Sequence, residues 1–157
     1  MAICVSHGGQ TVSQAARPSD AVLVATTDGV ASLQRSAPGA SWEASRSLQG
    51  KHVSALMIEP ARGVVFAGTH GDGIYASEDG GQTWERRDAG VEFGNIYALS
   101  FVESADGTRL YAGTEPAHLY VSAIAAAAGR SYPPFAPFQA SRNGRSPGPR
   151  TRPTSST

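Results

Sequence analysis

The sequence has a single cysteine, Cys4, so an internal disulfide is impossible and a disulfide-stapled secreted scaffold is excluded. Its charges balance at 13 basic and 13 acidic side chains, which argues against a nucleic-acid footprint over the whole chain. No apolar run approaches the roughly 20 residues that a membrane-spanning helix needs. The first residues carry neither a basic segment nor a sustained apolar one, so we expect no secretory leader. The expectation is a soluble, cytoplasmic chain with no nucleic-acid or membrane partner.

Short segments of the sequence recur at a nearly constant distance. Residues 65–69, Val-Phe-Ala-Gly-Thr, return at 110–114 as Leu-Tyr-Ala-Gly-Thr, a displacement of 45 positions. The other recurrences join residues 74–77 with 119–122 at 45 positions, 53–56 with 96–99 at 43, 24–27 with 66–69 at 42, and Trp42 with Trp84 at 42. A period of this size indicates a repeat architecture, here with three copies of one unit.

The best-preserved unit alternates short apolar runs with clusters of Gly, Asp and Pro, which is typical of antiparallel strands joined by turns. Because no helical period competes, we predict four strands. They lie at 53–58, 64–68, 74–77 and 83–87. Four strands within about 42 to 45 residues is the size of one β-propeller blade.

A motif stands between the third and fourth predicted strands. Residues 77–84 read Ser-Glu-Asp-Gly-Gly-Gln-Thr-Trp, which fits Ser-x-Asp-x-Gly-x-Thr-Trp at every fixed position. This pattern resembles the Asp-box, or BNR repeat, of sialidase-like, sortilin-like and photosystem-assembly-factor-like β-propellers. The resemblance implies an all-β fold, here a partial β-propeller of two to three four-stranded antiparallel blades with a disordered C-terminal tail. It also implies that the box faces away from any ligand pocket.

The chemistry of the five fixed residues suits a tight turn. The carboxylate of Asp79 can accept hydrogen bonds from nearby backbone N–H groups, and Gly81 can adopt the positive φ that the reversal needs. Ser77 can tie its hydroxyl into the same hairpin, Thr83 suits the start of a strand, and Trp84 can fill the wedge between sheets. We therefore expect these residues to be structural, with no catalytic role.

The other two copies of the motif are degenerate. Aligning Trp42 with Trp84 places Arg35, Ala37, Gly39 and Ser41 on the earlier motif positions, so that the Asp is replaced by Ala. In the third copy Ser122 matches Ser77, whereas Ile124, Ala126 and Gly129 stand where Asp, Gly and Trp are expected. The repeat therefore fails after Ser122.

These observations divide the chain into five parts: an N-terminal arm at 1–19, a degenerate blade at 20–50, a blade with the intact box at 51–92, an incomplete blade at 93–122, and a tail at 123–157. From Gly129 onward the tail holds six of the ten prolines, five arginines and no acidic residue. Such a composition favours a solvated, disordered segment.

Polar residues recur in the connections that form the ligand face of a propeller. They are Thr27, Asp28, His70, Asp72, Glu115 and His118, with Glu92 between two units. Such a set can in principle bind a metal. However, Asp is an ordinary turn residue, and exposed histidines are more often solvent-facing than ligands. We keep Asp28, His70, Asp72, Glu115 and His118 as ligand-face candidates, and expect no metal, cofactor or catalytic residue.

Fewer than three complete blades cannot close a propeller, which has typically 4 to 8. Three explanations remain open: a fragment of a longer gene product, a ring closed by oligomerisation, or a partly folded pseudogene product. The predicted function is a noncatalytic Asp-box repeat protein, a fragment of a longer ring that acts as an interaction scaffold for a protein or glycan. Its open blade edges also permit self-association. The alternative is the N-terminal fragment of a propeller glycoside hydrolase.

Overall fold

Three four-stranded sheets make up the part of the chain that the computed structural model describes, which is residues 2–5, 19–105, 107–125 and 133–138. No helix occurs among these described residues. The prediction of an all-β fold is therefore confirmed. None of the described residues belongs to a helix long and apolar enough to cross a membrane.

Sheet 1 contains β1 (Ala2–Val5), β2 (Ala21–Thr26), β3 (Gly29–Gln34) and β4 (Glu43–Ser47), in that order. The last three strands are antiparallel neighbours, whereas β1 pairs with β2 in parallel. The sequence predicts an arm over 1–19, but the structure places residues 2–5 of that arm in the sheet. Residues 1 and 6–18 of the predicted arm lie outside the described residues.

Sheet 2 contains β5 (Val53–Glu59), β6 (Val64–Thr69), β7 (Ile74–Ser77) and β8 (Glu85–Arg86), each antiparallel to the next. The first three strands match their predicted bounds to within one residue, because short apolar runs stand between glycine-rich turns. The last strand is shorter than predicted, since the turn that begins at Ser77 extends through Thr83.

Sheet 3 contains β9 (Asn95–Ser104), β10 (Gly107–Glu115), β11 (His118–Ala125) and β12 (Ala136–Pro137). The last of these pairs with β11, so this sheet also has four strands. The sequence ends the third unit at 122 and assigns 123–157 to a tail. The structure instead extends β11 by three residues and places 133–138 at the edge of the sheet. The rest of the predicted tail, 126–132 and 139–157, lies outside the described residues.

Sheet 2 is the middle layer, and its alternate side chains enter two apolar clusters. Along β6, Val65 and Ala67 pack toward sheet 1, whereas Val64 and Phe66 pack toward sheet 3. This alternation follows from the two-residue period of a strand. It explains why all six residues of β6 are buried and why the sequence there reads as a continuous apolar run.

The sequence prediction misaligns β2 with β6 by one residue. Thr26 Oγ1 donates to Gly29 O at 2.8 Å, and Thr69 Oγ1 makes the same bond to Gly73 O at 2.8 Å. The two threonines are therefore equivalent, which gives an offset of 43 where the sequence predicts 42. The correct offset pairs Leu23 with Phe66. Because a shift of one residue moves a side chain to the other face of its sheet, this decides which residues face each neighbour.

Candidate functional site

The turn from Ser77 to Trp84 is organised by one carboxylate. Asp79 Oδ1 accepts hydrogen bonds from the backbone N–H groups of Gln82 at 3.0 Å and Thr83 at 2.9 Å. Asp79 Oδ2 accepts from the Thr83 hydroxyl at 2.6 Å and from the Thr83 N–H at 3.0 Å. The pKa of Asp79 lies far below its ordinary value, because the Thr83 hydroxyl and N–H stabilise the charged form. The carboxylate is thus an acceptor held ionised in a turn.

Ser77 connects this carboxylate to the start of the turn. Its hydroxyl donates to Asp79 Oδ1 at 2.7 Å and accepts from the Gly81 N–H at 2.7 Å. Ser77 and Gly81 are both buried, and Gly81 has a φ of 96°, a conformation that glycine adopts without steric cost. The roles that the sequence predicts for the serine, aspartate and glycine are those seen in these bonds.

The same turn is attached to sheet 1. Trp84 Nε1 donates to Ser47 Oγ on β4 at 3.0 Å, and the Ser47 hydroxyl donates to the Gly81 carbonyl at 2.5 Å. A methyl group built on Gly81 would lie 3.3 Å from Cδ2 of the buried Leu23, so the turn lies directly against the core of sheet 1. Trp84 therefore joins two sheets, whereas Asp79 acts within its own turn.

The degenerate turn of sheet 1 is held by other means. Arg35 Nε donates to Asp20 Oδ1 at 2.7 Å, and the Arg35 guanidinium lies over the Trp42 ring, 4.9 Å from its centroid. Gly39 has a φ of 87°, close to that of Gly81. Ala37 stands at the position of Asp79, and the contacts near this turn are an ion pair and a cation–π contact, both made by Arg35.

The degenerate turn of sheet 3 contains an aromatic residue that sequence reasoning missed. The Ser122 hydroxyl donates to the Pro133 carbonyl at 2.7 Å, and Phe135 is buried against sheet 2, where its N–H donates to Ala89 O at 2.8 Å. Phe135 directly precedes β12, just as Trp84 precedes β8 and Trp42 precedes β4. The sequence signal that could have identified Phe135 is an aromatic residue inside a proline-rich segment.

The predicted ligand-face residues lie at the other end of the strands, in the β2–β3, β6–β7 and β10–β11 turns, which we call the histidine edge. Asp28 Oδ1 accepts from the Gly50 N–H at 2.8 Å, and its other oxygen lies 3.8 Å from Arg46 Nη1. Asp72 pairs with Lys51 Nζ at 2.9 Å, which raises the pKa of the lysine. Both aspartates are thus engaged in structural contacts.

His70 and Glu115 come from different sheets and meet at Tyr97, which sequence reasoning did not single out. The Tyr97 hydroxyl donates to Glu115 Oε2 at 3.0 Å, and this bond raises the pKa of the tyrosine. The rings of His70 and Tyr97 meet edge to face at 5.7 Å, and His70 stacks on His52 at 5.4 Å. An exposed aromatic and polar surface therefore spans sheets 2 and 3.

His118 lies at the end of the same surface. Its ring stacks on Phe93 with centroids 4.5 Å apart, and its Nδ1 lies 3.1 Å from the Pro116 carbonyl oxygen. Thr27 and Glu92 are exposed. Within the described ranges, no three His, Cys, Asp or Glu side chains come close enough together to hold a metal ion.

Comparisons of the chain with protein-family models, with curated proteins and with solved structures find no match. The geometry of the site is therefore the basis of its functional assignment. That geometry has two parts: a turn at one end of the strands that locks sheet 2 to sheet 1, and a histidine edge at the other end that presents polar and aromatic side chains to solvent.

Proposed function

We propose that the chain is a noncatalytic Asp-box repeat scaffold of the β-propeller type, a segment of a larger ring that binds a protein or glycan partner. The observation that carries this proposal is the Ser77–Trp84 turn. Its carboxylate is saturated with hydrogen bonds from its own turn, and its indole bonds to Ser47 of the adjacent sheet. Because both oxygens of this carboxylate accept hydrogen bonds within the turn, its role is structural and neither oxygen is free for acid–base chemistry.

The repetition of this arrangement supports the propeller part of the proposal. In all three sheets an aromatic residue directly precedes the outer strand, and in sheets 2 and 3 it packs on the sheet before it. Stacked repeats of this kind bury their faces only on their neighbours. Three sheets are fewer than the typical 4 to 8 of a closed ring, so further sheets would complete it.

The histidine edge supports the binding part of the proposal. Tyr97, His70 and His118 are exposed, and the rings of Tyr97 and His70 are in contact. Aromatic side chains contribute large contact area at interfaces for little conformational entropy. The carboxylates of Asp72 and Glu115 already have Lys51 and Tyr97 as partners. This edge therefore suits recognition better than hydrolysis.

Site-specific photo-crosslinking in the producing cells tests the proposal. Benzoylphenylalanine is placed at Tyr97 on the histidine edge or, as the matched control, at Gln82 on the exposed opposite end of the same sheets. We expect discrete adducts from position 97 and none from position 82. Adducts from both positions alike, or from neither, would contradict the assignment of the binding surface.

A hydrolysis assay on a panel of aryl glycosides tests the noncatalytic part. We expect no turnover above the buffer blank. Turnover that disappears in Glu115→Gln or Asp72→Asn would overturn the scaffold proposal and establish the glycoside hydrolase alternative, because those carboxylates would then be the reacting groups.

A further inference from the structure

The interior interfaces of the chain follow one rule. In sheets 2 and 3 the aromatic residue that precedes the outer strand packs on the sheet before it: Trp84 reaches Ser47 of sheet 1, and Phe135 enters the same apolar cluster as Phe66 of sheet 2. A methyl group built on Gly90 would lie 1.9 Å from Phe135 O, so the Phe135 backbone lies directly against the connection between β8 and β9. We call these aromatic residues pegs.

Trp42 is a peg with no sheet to receive it among the described residues. Val30 and Ser47 are opposed across β3 and β4, and Ser47 bonds to sheet 2. Leu33 and Ala44 are opposed three positions further along, which places them on the other face of sheet 1. Trp42 precedes Ala44 by two positions, and 42% of its surface is exposed. The peg therefore lies on the face of sheet 1 that points away from sheet 2.

Sheet 3 carries an apolar face that matches a buried one. By the 45-residue repeat, Leu119 corresponds to Ile74 and Tyr111 to Phe66, and in sheet 2 those two residues are buried against sheet 3. Ile74 is 0% exposed, whereas Leu119 is 42% exposed. Val102 is 52% exposed and Phe138 is 45% exposed, and both add apolar surface at the same end of the molecule. The outer face of sheet 3 thus repeats a surface that is covered elsewhere in the chain.

We propose that the outer face of sheet 3 is covered by the outer face of sheet 1 from a second copy of this chain, with Trp42 of that copy packed on Tyr111 and Leu119. This inference rests on the proposed propeller-type function and names what completes the ring. The proposed contact repeats the interface between sheets 2 and 3 on the other side of sheet 3. Leu110 and Ala112 of β10 are buried in the existing interface, and Tyr111, which lies between them on the same strand, faces the opposite side.

The outer faces of sheets 1 and 3 differ from each other. A second copy arranged head to tail is therefore the partner that suits both faces. The outer face of sheet 1 supplies the peg, Trp42. The outer face of sheet 3 supplies the apolar surface that receives it, Tyr111 and Leu119, which we call the seat. Each face is therefore one half of the interior contact. A symmetric pairing of sheet 3 with sheet 3 would bury Leu119 twice but leave both copies of Trp42 exposed. Head-to-tail contacts close into a ring when the rotation permits it and otherwise continue into open filaments.

Light scattering coupled to size-exclusion chromatography of the full chain provides the first test. We expect the mass to rise above the 16.3 kDa monomer in discrete multiples as the concentration increases. Trp42→Glu and Leu119→Glu should each weaken association about tenfold or more, because a charge enters the centre of an apolar contact. Gln49→Glu adds the same charge at an exposed turn and should leave association unchanged.

Mixing the two interface variants provides the decisive test. Trp42→Glu retains an intact seat on sheet 3, and Leu119→Glu retains an intact peg on sheet 1. The variants should therefore remain monomeric alone and form a 1:1 dimer, and nothing larger, when combined. Circular dichroism on each variant establishes that its strand signal matches that of the unmodified chain, and Val102→Lys replaces Leu119→Glu if the latter is unfolded.

Three outcomes would overturn the inference: a folded chain that stays monomeric at every concentration, a mixture of the folded Trp42→Glu and Leu119→Glu variants that forms no 1:1 dimer, or a Trp42→Glu variant that still associates like the unmodified chain. None of these depends on the photo-crosslinking at Tyr97. A monomer that still gives adducts at position 97 would refute the assembly and leave the scaffold function intact.

Discussion

The indole of Trp84 and the hydroxyl of Ser47 form a hydrogen bond across two sheets, 3.0 Å from Nε1 to Oγ. The same hydroxyl donates to the Gly81 carbonyl, so the bond joins the outer strand of sheet 1 to the turn of sheet 2. Residues 37 positions apart in sequence are thereby fixed to one another. This relationship makes the turn a connector between repeats as well as a closure of its own hairpin.

A double-mutant cycle should detect that connection. The indole N–H also donates to the Gly81 carbonyl at 3.2 Å, within its own turn. Ser47→Ala removes the acceptor on sheet 1, and Trp84→Phe removes the donor together with part of the ring. We expect a coupling free energy of about 0.5–1.5 kcal/mol, the usual net contribution of a hydrogen bond. Urea unfolding of the four chains measures it, because the cycle cancels the ring-size effect. Additive effects of the two substitutions would show that the bond between the indole and the Ser47 hydroxyl does not help to hold the sheets together.

Replacement of Asp79 by Asn should loosen the turn. An amide has only one acceptor oxygen, so it cannot serve the Thr83 N–H and hydroxyl on one side and the Gln82 N–H on the other. We expect a lower melting temperature for Asp79→Asn than for Glu78→Gln, which neutralises the adjacent carboxylate, whose nearest cation is 4.0 Å away. Equal melting temperatures would show that the hydrogen bonds of Asp79 contribute nothing.

The stability that Asp79 supplies should depend on pH. Its pKa is lowered in the folded chain, so its contribution is fully present above the unfolded pKa of about 3.9 and is lost as the pH falls toward the folded value. The melting-temperature difference between the unmodified chain and Asp79→Asn should therefore be constant above about pH 5 and shrink below about pH 4. A difference that grows on acidification would contradict the lowered pKa.

Two glycines allow a matched test of how the Phe135 segment docks. Gly90 and Gly80 have φ values of 86° and 78°, so alanine is strained to a similar extent at both. A methyl group at Gly80 meets nothing within 4 Å, whereas one at Gly90 lies 1.9 Å from Phe135 O. We expect Gly90→Ala to lower the free energy of unfolding by about 1–3 kcal/mol more than Gly80→Ala, as overpacking does. Equal losses in urea would mean that the Phe135 segment does not pack there.

The strands of sheet 2 are predictable because local patterns alone determine them. Apolar runs at Val53–Glu59 and Ile74–Ser77 are bounded by Gly, Asp and Pro, and no long-range information is needed to place them. The hydrogen-bonding role of Asp79 is likewise local, since all its partners lie within four residues.

What the sequence does not reveal depends on loop lengths and on distant contacts. The turn after Thr26 is one residue shorter than the turn after Thr69, so matching the residues by similarity shifts β2 by one position. Phe135 lies ten residues after the end of β11, too far for the spacing of the motif to identify it. Tyr97 becomes part of the histidine edge only when sheets 2 and 3 are adjacent.

Glu59 is a buried carboxylate that lies just beyond the predicted strand 53–58. It is 1% exposed, and its two side-chain oxygens accept from the Ala61 and Arg62 N–H groups at 3.0 Å each. Glu59→Gln keeps the shape but turns an NH₂ group toward one of those donors. The buried side-chain NH₂ then faces a donor instead of an acceptor, which costs about 1–3 kcal/mol, so we expect a loss of that size in urea unfolding. The exposed control Glu92→Gln should change stability by less than about 0.5 kcal/mol. If the two variants unfold at the same urea concentration, the carboxylate of Glu59 does not hold the β5–β6 turn, and its burial would then reflect packing of its methylene groups.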